Sequence, residues 1–241
     1  GKLETIRELT DEFELVGVFE TDDQLVQLHH SHPKYKGVRW LNEQEAFDSA
    51  VVDAAVIETK VSDLPFNAKR SLEAGLHVHL EKPGSMSHPE FVQLFDIAQH
   101  RKLHIQMGYM MRHNPVLQFC FKAVREGWLG PVFEVSGAIS KLSNAEARHE
   151  MLPYKGGAMF ELGCHLIDSL ITILGPPQKV VPYSRATRSD RFLDSQLAVF
   201  EYPTAVATIR SSIVEPYGNE RRHFEVSGEN GTIQIRPLEA P

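Results

Sequence analysis

The sequence has only two cysteines, Cys120 and Cys164, in 241 residues, too few for a disulfide framework. No apolar run approaches the roughly 20 residues that a membrane helix needs, which argues against a spanning segment. Basic residues are neither abundant nor clustered. With 25 Lys and Arg against 32 Asp and Glu, the net charge is −7, a poor match for nucleic acid or an anionic membrane surface. There is no internal repeat, no low-complexity tract and no G-x-G-x-x-G turn. There is also no initiator Met before Gly1, so a removed targeting segment would leave no trace; cysteine usage makes a reducing, cytoplasmic setting the default expectation. At 42% hydrophobic residues the chain can bury one large core or two smaller ones.

The first hundred residues alternate helix and strand. Helical spacing in KLETIRELTDE is followed by an apolar strand, FELVGVF. A capped helix beginning at Thr21 or Asp22, a short helix EQEAFDSA and a strand DAAVIET come next. PFNAKRSLEAG carries Pro65 near its start and Gly75 past its end, where a helix places them. HVHLEKP reads as a strand, HPEFVQLFDIAQHRK as a helix and LHIQMGY as a strand. Short strands joined by such helices predict a parallel sheet with right-handed crossovers. After Gly108 the rhythm changes. Helix NPVLQFCFKAVREGWLG, strand PVFEVSGAIS and a long helix over Gly156–Gly175 precede five strand-like segments, two of them joined by a tight ENG turn at Glu229–Gly231. The reading is an α/β chain: a Rossmann-like parallel domain over 1–108, then an α+β domain over 109–241 with an open, mostly antiparallel sheet. A parallel nucleotide-binding sheet opens with strand, glycine turn and helix. This chain starts inside a helix, so that turn is expected before Gly1.

Two places carry candidate chemistry. On a helix at about 100° per residue, Glu161, His165, Asp168 and Thr172 fall on one narrow stripe of an otherwise apolar segment. Such a stripe either faces a cleft or is paired within the core or across an interface. Lys82 leaves an apolar strand just before Pro83, at the C-terminal strand end where open α/β sheets bind ligands. Glu20 follows the FELVGVF strand at the position where an acid holds a ribose hydroxyl, which favours NAD over NADP; Asp22 and Asp23 lie close by. His29, His30 and His32 have no particular metal-ligand spacing and read as a surface loop, so no metal is expected.

Together these segments resemble the glucose–fructose oxidoreductase and inositol dehydrogenase family (Gfo/Idh/MocA). LEAGLHVHLEKP is similar to the family's Glu-Lys-Pro block, QMGYMMRHNPVL to its domain crossover, GGAMFELGCHLIDSL to its G-G-x-x-x-D-x-G-x-H-x-x-D helix and FEVSGENGTIQI to its late hairpin. The resemblance implies a nicotinamide-dependent oxidoreductase acting on a sugar, inositol or related polyol by hydride transfer, and a homo-oligomer, dimer or tetramer, paired through the second domain's sheet. It implies catalytic roles for Lys82, His165 and Glu161. Glu20, Thr59, Glu81, Lys82 and Pro83 would contact the cofactor, and Tyr109, Arg112 and Asp168 the substrate. It also implies a Lys82–Pro83 bond that is often cis. Departures are Glu161 where the family usually has Asp, and Lys60 and Leu64 where it has Pro and His. Two other activities fit the same blocks: glycoside cleavage with NAD as a transient redox relay, and ligand binding without catalysis.

Overall fold

The computed structural model describes residues 2–239; the expectations for what adjoins Gly1 and Pro241 lie outside them. The chain forms two compact units, one ending at Gly108 and the other starting at Tyr109.

In the first unit, α1 (Lys2–Glu8), α2 (Asp23–Ser31) and α3 (Glu43–Ala46) precede β1 (Ala54–Ile57), α4 (Leu64–Glu73), β2 (His77–Leu80), α5 (His88–Arg101) and β3 (Ile105–Met107). The three strands are parallel, in the order β1-β2-β3. Ile57, Val78 and Leu80 alternate onto one face and share a core with Leu64, Ala68 and Leu72 of α4 and Leu94 and Ala98 of α5. The other face carries His77, His79 and Gln106, with the His77 and His104 rings 5.1 Å apart. HVHL therefore alternates apolar and polar as a one-sided strand does, rather than running apolar throughout. Asp22, not Thr21, caps α2, accepting from the Gln24 and Leu25 amides. One expectation is corrected. FELVGVF forms only a single parallel bridge, Val18 to Trp40, in which the Val18 amide donates to Arg39 O and the Leu41 amide to Val18 O, both at 2.9 Å. Among the described residues no second neighbour continues a ladder there, so the run does not become a strand.

The second unit contains α6 (Pro115–Arg125), β4 (Val132–Ser140), α7 (Ala145–Met151), α8 (Cys164–Leu174) and β5 (Lys179–Arg185), β6 (Ser195–Glu201), β7 (Val206–Ser212), β8 (His223–Gly228) and β9 (Gly231–Ile235). Its six strands run β5-β6-β7-β4-β8-β9, antiparallel except for the β4–β7 pair. Asn114 caps α6 through the Val116 and Leu117 amides. Val135, Ile139, Ala207, Ile209, Phe224 and Val226 point to one side and meet Leu117, Cys120 and Phe121 of α6 and Leu166 and Leu170 of α8. Cys120 is fully buried there, and burial pushes its thiol up to about 11, so it serves as packing rather than as a nucleophile. Gly137 lets α8 close on the sheet, because a Cβ there would lie 2.9 Å from the Leu166 side chain.

The long helix read over Gly156–Gly175 is corrected: Met159–Gly163 is a π-helical turn, and α-helix begins only at Cys164. Gly157 holds φ +63, and a Cβ on it would run into the Leu193 carbonyl. This close approach lets the Ala158 amide donate to Leu193 O at 2.9 Å and the Met159 amide to Gln196 Oε1 at 2.8 Å. The first helical donors are thus satisfied by β6 and the segment before it. Ser211 Oγ adds a 3.0 Å bond to Ala158 O.

The short helix α7, not anticipated from the sequence, supports this arrangement. Its Arg148 is buried and forks onto Asp190 at 2.6 and 2.8 Å, with a further 2.8 Å bond to Asp194. Asp194 is fully buried and also accepts from the Thr187 amide and hydroxyl at 3.0 and 2.9 Å. Removing one partner of such a pair leaves a buried charge unmatched. Arg148→Met should therefore lower the unfolding free energy by about 3–5 kcal/mol, measured by urea denaturation. Asp190 supplies a pH test. The hydrogen bonds from Arg148 lower its carboxyl to about 2, against about 3.9 in an unfolded chain. Its contribution is therefore present above about pH 4 and is lost as pH falls toward 2. Asp190→Asn should flatten the fall of stability across that window; an unchanged slope would contradict the pairing.

Candidate active site

Each unit holds part of the expected constellation. In the first, β2 ends at Leu80, where the Gly108 amide donates to its carbonyl at 2.8 Å, and the Glu81 amide donates to Ile57 O at 3.1 Å. Lys82 follows, half-buried, and Pro83, Gly84 and Ser85 are buried. The Lys82–Pro83 bond is cis. Ser85 Oγ donates to Glu90 at 3.1 Å and accepts the Ser87 amide at 2.9 Å, which ties the loop after Lys82 to the start of α5. The Glu81 carboxylate pairs with Lys2, which also reaches Glu58 at 3.0 Å. Thr59 is exposed just beyond β1, with its hydroxyl donating to Lys60 O at 3.2 Å. One oxygen of Glu20 accepts the Thr21 and Asp22 amides at 2.8 and 3.0 Å, so this acid organises its own turn. The histidines do not form a loop as expected: His29 and His30 lie in the last turn of α2 and His32 is its C-cap, and they join an aromatic stack, His29 on Tyr35 at 4.6 Å and His30 on Trp40 at 4.7 Å.

The second unit brings its candidates together. His165, in the first turn of α8, is buried, and its ring meets Tyr109 edge-on at 6.2 Å. Glu161 lies in the π-helical turn with Lys141 Nζ 3.8 Å from its carboxylate. Their side chains are 17% and 29% exposed, so the two charges interact in a partly desolvated setting where attraction exceeds its value in water. The Tyr154 hydroxyl is raised first by burial and then by the charge of Glu161. Asp168 faces a different partner. Arg112, from a 3₁₀ turn over Met110–His113, forks onto it with Nε at 2.7 Å and Nη2 at 2.6 Å. Thr172 Oγ1 donates to Asp168 O at 2.9 Å. Arg112 and Asp168 thus answer one another, and the stripe divides into a Lys141–Glu161 end and an Arg112–Asp168 end.

A cavity of about 380 Å³ opens beside α8, lined by Tyr109, Phe160, Cys164, Asp168 and Ile171 among others. Burial pushes the Tyr109 hydroxyl up to about 12, with Cys164 and Asp168 adding to the rise and Arg112 opposing it. Tyr109 is a neutral donor at ordinary pH. Neither Glu161 nor His165 lines this cavity.

Lys141 is the charged group that the sequence reading missed. It leaves β4 immediately after an apolar run, GAISK, as Lys82 leaves β2 in VHLEK. The same strand-end signal marks both, and only Lys82 is followed by a proline.

The residues present suit one end of a nicotinamide dinucleotide. Lys82, Pro83 and Thr59 stand at strand ends where the nicotinamide and its ribose would be held, and Glu20 keeps one carboxylate oxygen outside its own turn. The glycine turn for the pyrophosphate does not occur in these 241 residues.

Comparison with known proteins identifies residues 118–234 with the GFO/IDH/MocA C-terminal domain. D-xylose 1-dehydrogenase (NADP(+)) 2 of Haloferax volcanii is 27% identical over 173 residues, covering 70% of this chain and 52% of that protein. The scyllo-inositol 2-dehydrogenase (NAD(+)) of Bacillus subtilis is 23% identical over 201 residues, covering 80% of this chain and 58% of its own length. The chain therefore spans little more than half the length of these relatives. Among solved structures, the WlbA dehydrogenase of Bordetella pertussis, in complex with NADH and UDP-GlcNAcA, superimposes with a TM-score of 0.85 at 21% identity, over 98% of this chain and 75% of that one; at that identity the likeness is one of fold.

The Arg112–Asp168 fork can be measured directly. A double-mutant cycle with Arg112→Ala and Asp168→Ala should give a coupling of about 1–2 kcal/mol, since both bonds are charge-assisted and Asp168 is nearly buried. Arg112→Lys should retain under half of it, because an ammonium cannot bridge two oxygens in one plane. Coupling indistinguishable from zero would make the pair a solvated surface contact.

Proposed function

Because the chain belongs to the Gfo/Idh/MocA family, we propose that its parent protein is an NAD-dependent oxidoreductase acting on a hydroxyl carbon of a sugar, inositol or related polyol. The observation that carries the proposal is the buried imidazole of His165, one turn along from a half-buried Glu161 that faces Lys141 at 3.8 Å. Relatives whose names specify xylose and inositol dehydrogenation support the substrate class. An acidic Glu20 favours a free ribose 2′-hydroxyl, and hence NAD over NADP.

Oxidising an alcohol removes a hydride from carbon and a proton from oxygen. When bound, NAD supplies the hydride acceptor. The protein's part is to take the proton and to stabilise the charge that grows on oxygen. Imidazole is the natural base near neutral pH, and His165 fills that role. The Lys82 ammonium holds the same oxygen and opposes its negative charge. Glu161, steadied by Lys141, accepts a hydrogen bond from a neighbouring hydroxyl. Asp168, committed to Arg112, holds the crossover turn and Tyr109 against α8. The loop after β2 and the π-helical turn are each tied down by hydrogen bonds within their own unit.

Self-association through the outer face of the second unit's sheet belongs to the same proposal. Tyr183, Leu197 and Val206 are 55%, 36% and 50% exposed on β5, β6 and β7, and Val181 and Val199 lie between them in register. A solvated sheet face would be more polar.

Two measurements test this reading. Lys82→Ala and His165→Ala should each slow NADH formation by about 10²-fold or more, a far larger effect than any on NAD affinity, while leaving the far-UV circular dichroism unchanged. Glu161→Asp should also lose activity, because the shortened carboxylate withdraws from Lys141; full activity in that variant would make Glu161 a bystander. For assembly, light scattering should find an oligomer at micromolar concentration that Leu197→Glu dissociates. A monomeric wild type would contradict the sheet interface.

A further inference from the structure

One peptide group at the start of the π-helical turn is held on both sides by side chains of the sheet. Its N–H is the Met159 amide, which donates to Gln196 Oε1 at 2.8 Å. Its carbonyl is Ala158 O, which accepts the Ser211 hydroxyl at 3.0 Å. Gln196 on β6 and Ser211 on β7 are register partners, and both are buried. The Met159 amide can only donate, so Gln196 gives it the side-chain oxygen and keeps its own N–H groups for other partners. One of these goes to Ser184 Oγ at 3.0 Å, and Ser184 is the register partner of Gln196 on β5. Gly157 leaves room for this clamp, since a Cβ there would lie 2.7 Å from Gln196 Oε1.

Glu161 stands two residues after Met159, within the same turn. A π turn closes over one residue more than an α turn and is rare. The run Met159–Leu162 contains no residue that breaks an α-helix, so the winding is imposed from outside, by the clamp. With the Met159 amide released, the run would rewind as α-helix and Glu161 would turn away from Lys141, which lies 3.8 Å from it. His165 would keep its place, because Leu166 and Leu170 hold α8 in the core against the sheet.

We infer that Gln196 is a positioning residue for Glu161: by holding the Met159 amide it sets where the Glu161 carboxylate meets the hydroxyl next to the reacting one. Gln196 acts on the substrate only through Glu161. The inference rests on the functional reading above and adds to it a residue that determines specificity for the neighbouring hydroxyl.

The test uses the full-length protein with NAD, and scyllo-inositol and D-xylose as probes. Gln196→Met removes the acceptor at nearly constant length and should lower kcat/KM for the accepted probe about tenfold. Gln196→Glu keeps an oxygen for the Met159 amide and should stay within about threefold of wild type. In a Glu161→Ala background, Gln196→Met should cost less than about twofold, while its effect on Tm should be the same in both backgrounds. A loss as large without Glu161 as with it would give Gln196 a general structural role and overturn the inference, as would wild-type kinetics in Gln196→Met. A crystal structure of Gln196→Met supplies a readout independent of activity. It should show Met159–Gly163 as α-helix, with Glu161 outside the roughly 4 Å of an ion pair with Lys141. An unchanged π turn in that variant overturns the inference and leaves the polyol reading standing. A wild type that oxidises neither probe refutes the functional reading, and the inference falls with it.

Discussion

The candidate site depends on how one helix begins. At Gly157 the backbone turns left-handed and passes so close to the Leu193 carbonyl that no side chain fits. The Ala158 and Met159 amides are then spent on Leu193 and Gln196, outside the helix. With those donors committed elsewhere, Met159–Gly163 wind as a π-helical turn, a feature that recurs at functional sites. This winding presents Glu161 to Lys141 at the end of β4 while His165, in the first α-helical turn, goes into the interior. An uninterrupted α-helix would place these side chains differently.

Two ion-pair systems hold that start in position, and they differ in kind. Arg148 and Asp194 are buried, and with the more exposed Asp190 they brace the segment that carries Leu193, so their role is structural. Arg112 with Asp168 spans from an exposed guanidinium to a nearly buried carboxylate and fastens the crossover turn to α8. Along the polar stripe Glu161 faces Lys141 and Asp168 faces Arg112, with His165 between them in sequence.

Much of this was legible in the sequence because it is periodic. Strand–helix alternation before Gly108, the antiparallel run after it, Pro65 and Gly75 around α4, and the two-residue turn at Glu229–Asn230 follow from local chemistry, and so does the resemblance to the family. What was not legible depends on distant partners. The π-helical turn is set by Leu193 and Gln196, more than thirty residues further along. Lys2 claims Glu81 from 79 residues away, and Arg112 claims Asp168 from 56. FELVGVF has the composition of a strand, but a strand is made by its neighbours, and among the described residues it has one bridge.

The central claim is that Lys82, at the end of the first unit's middle strand, and His165, on the second unit's helix, act on the same substrate oxygen. A crystal structure of the full-length protein with NADH and scyllo-inositol tests it most directly. The account predicts Lys82 Nζ and a ring nitrogen of His165 both within hydrogen-bonding distance, about 2.6–3.2 Å, of the hydroxyl on the carbon facing the nicotinamide. Lys82 and His165 opening onto different surfaces, with the polyol held by neither, would contradict it.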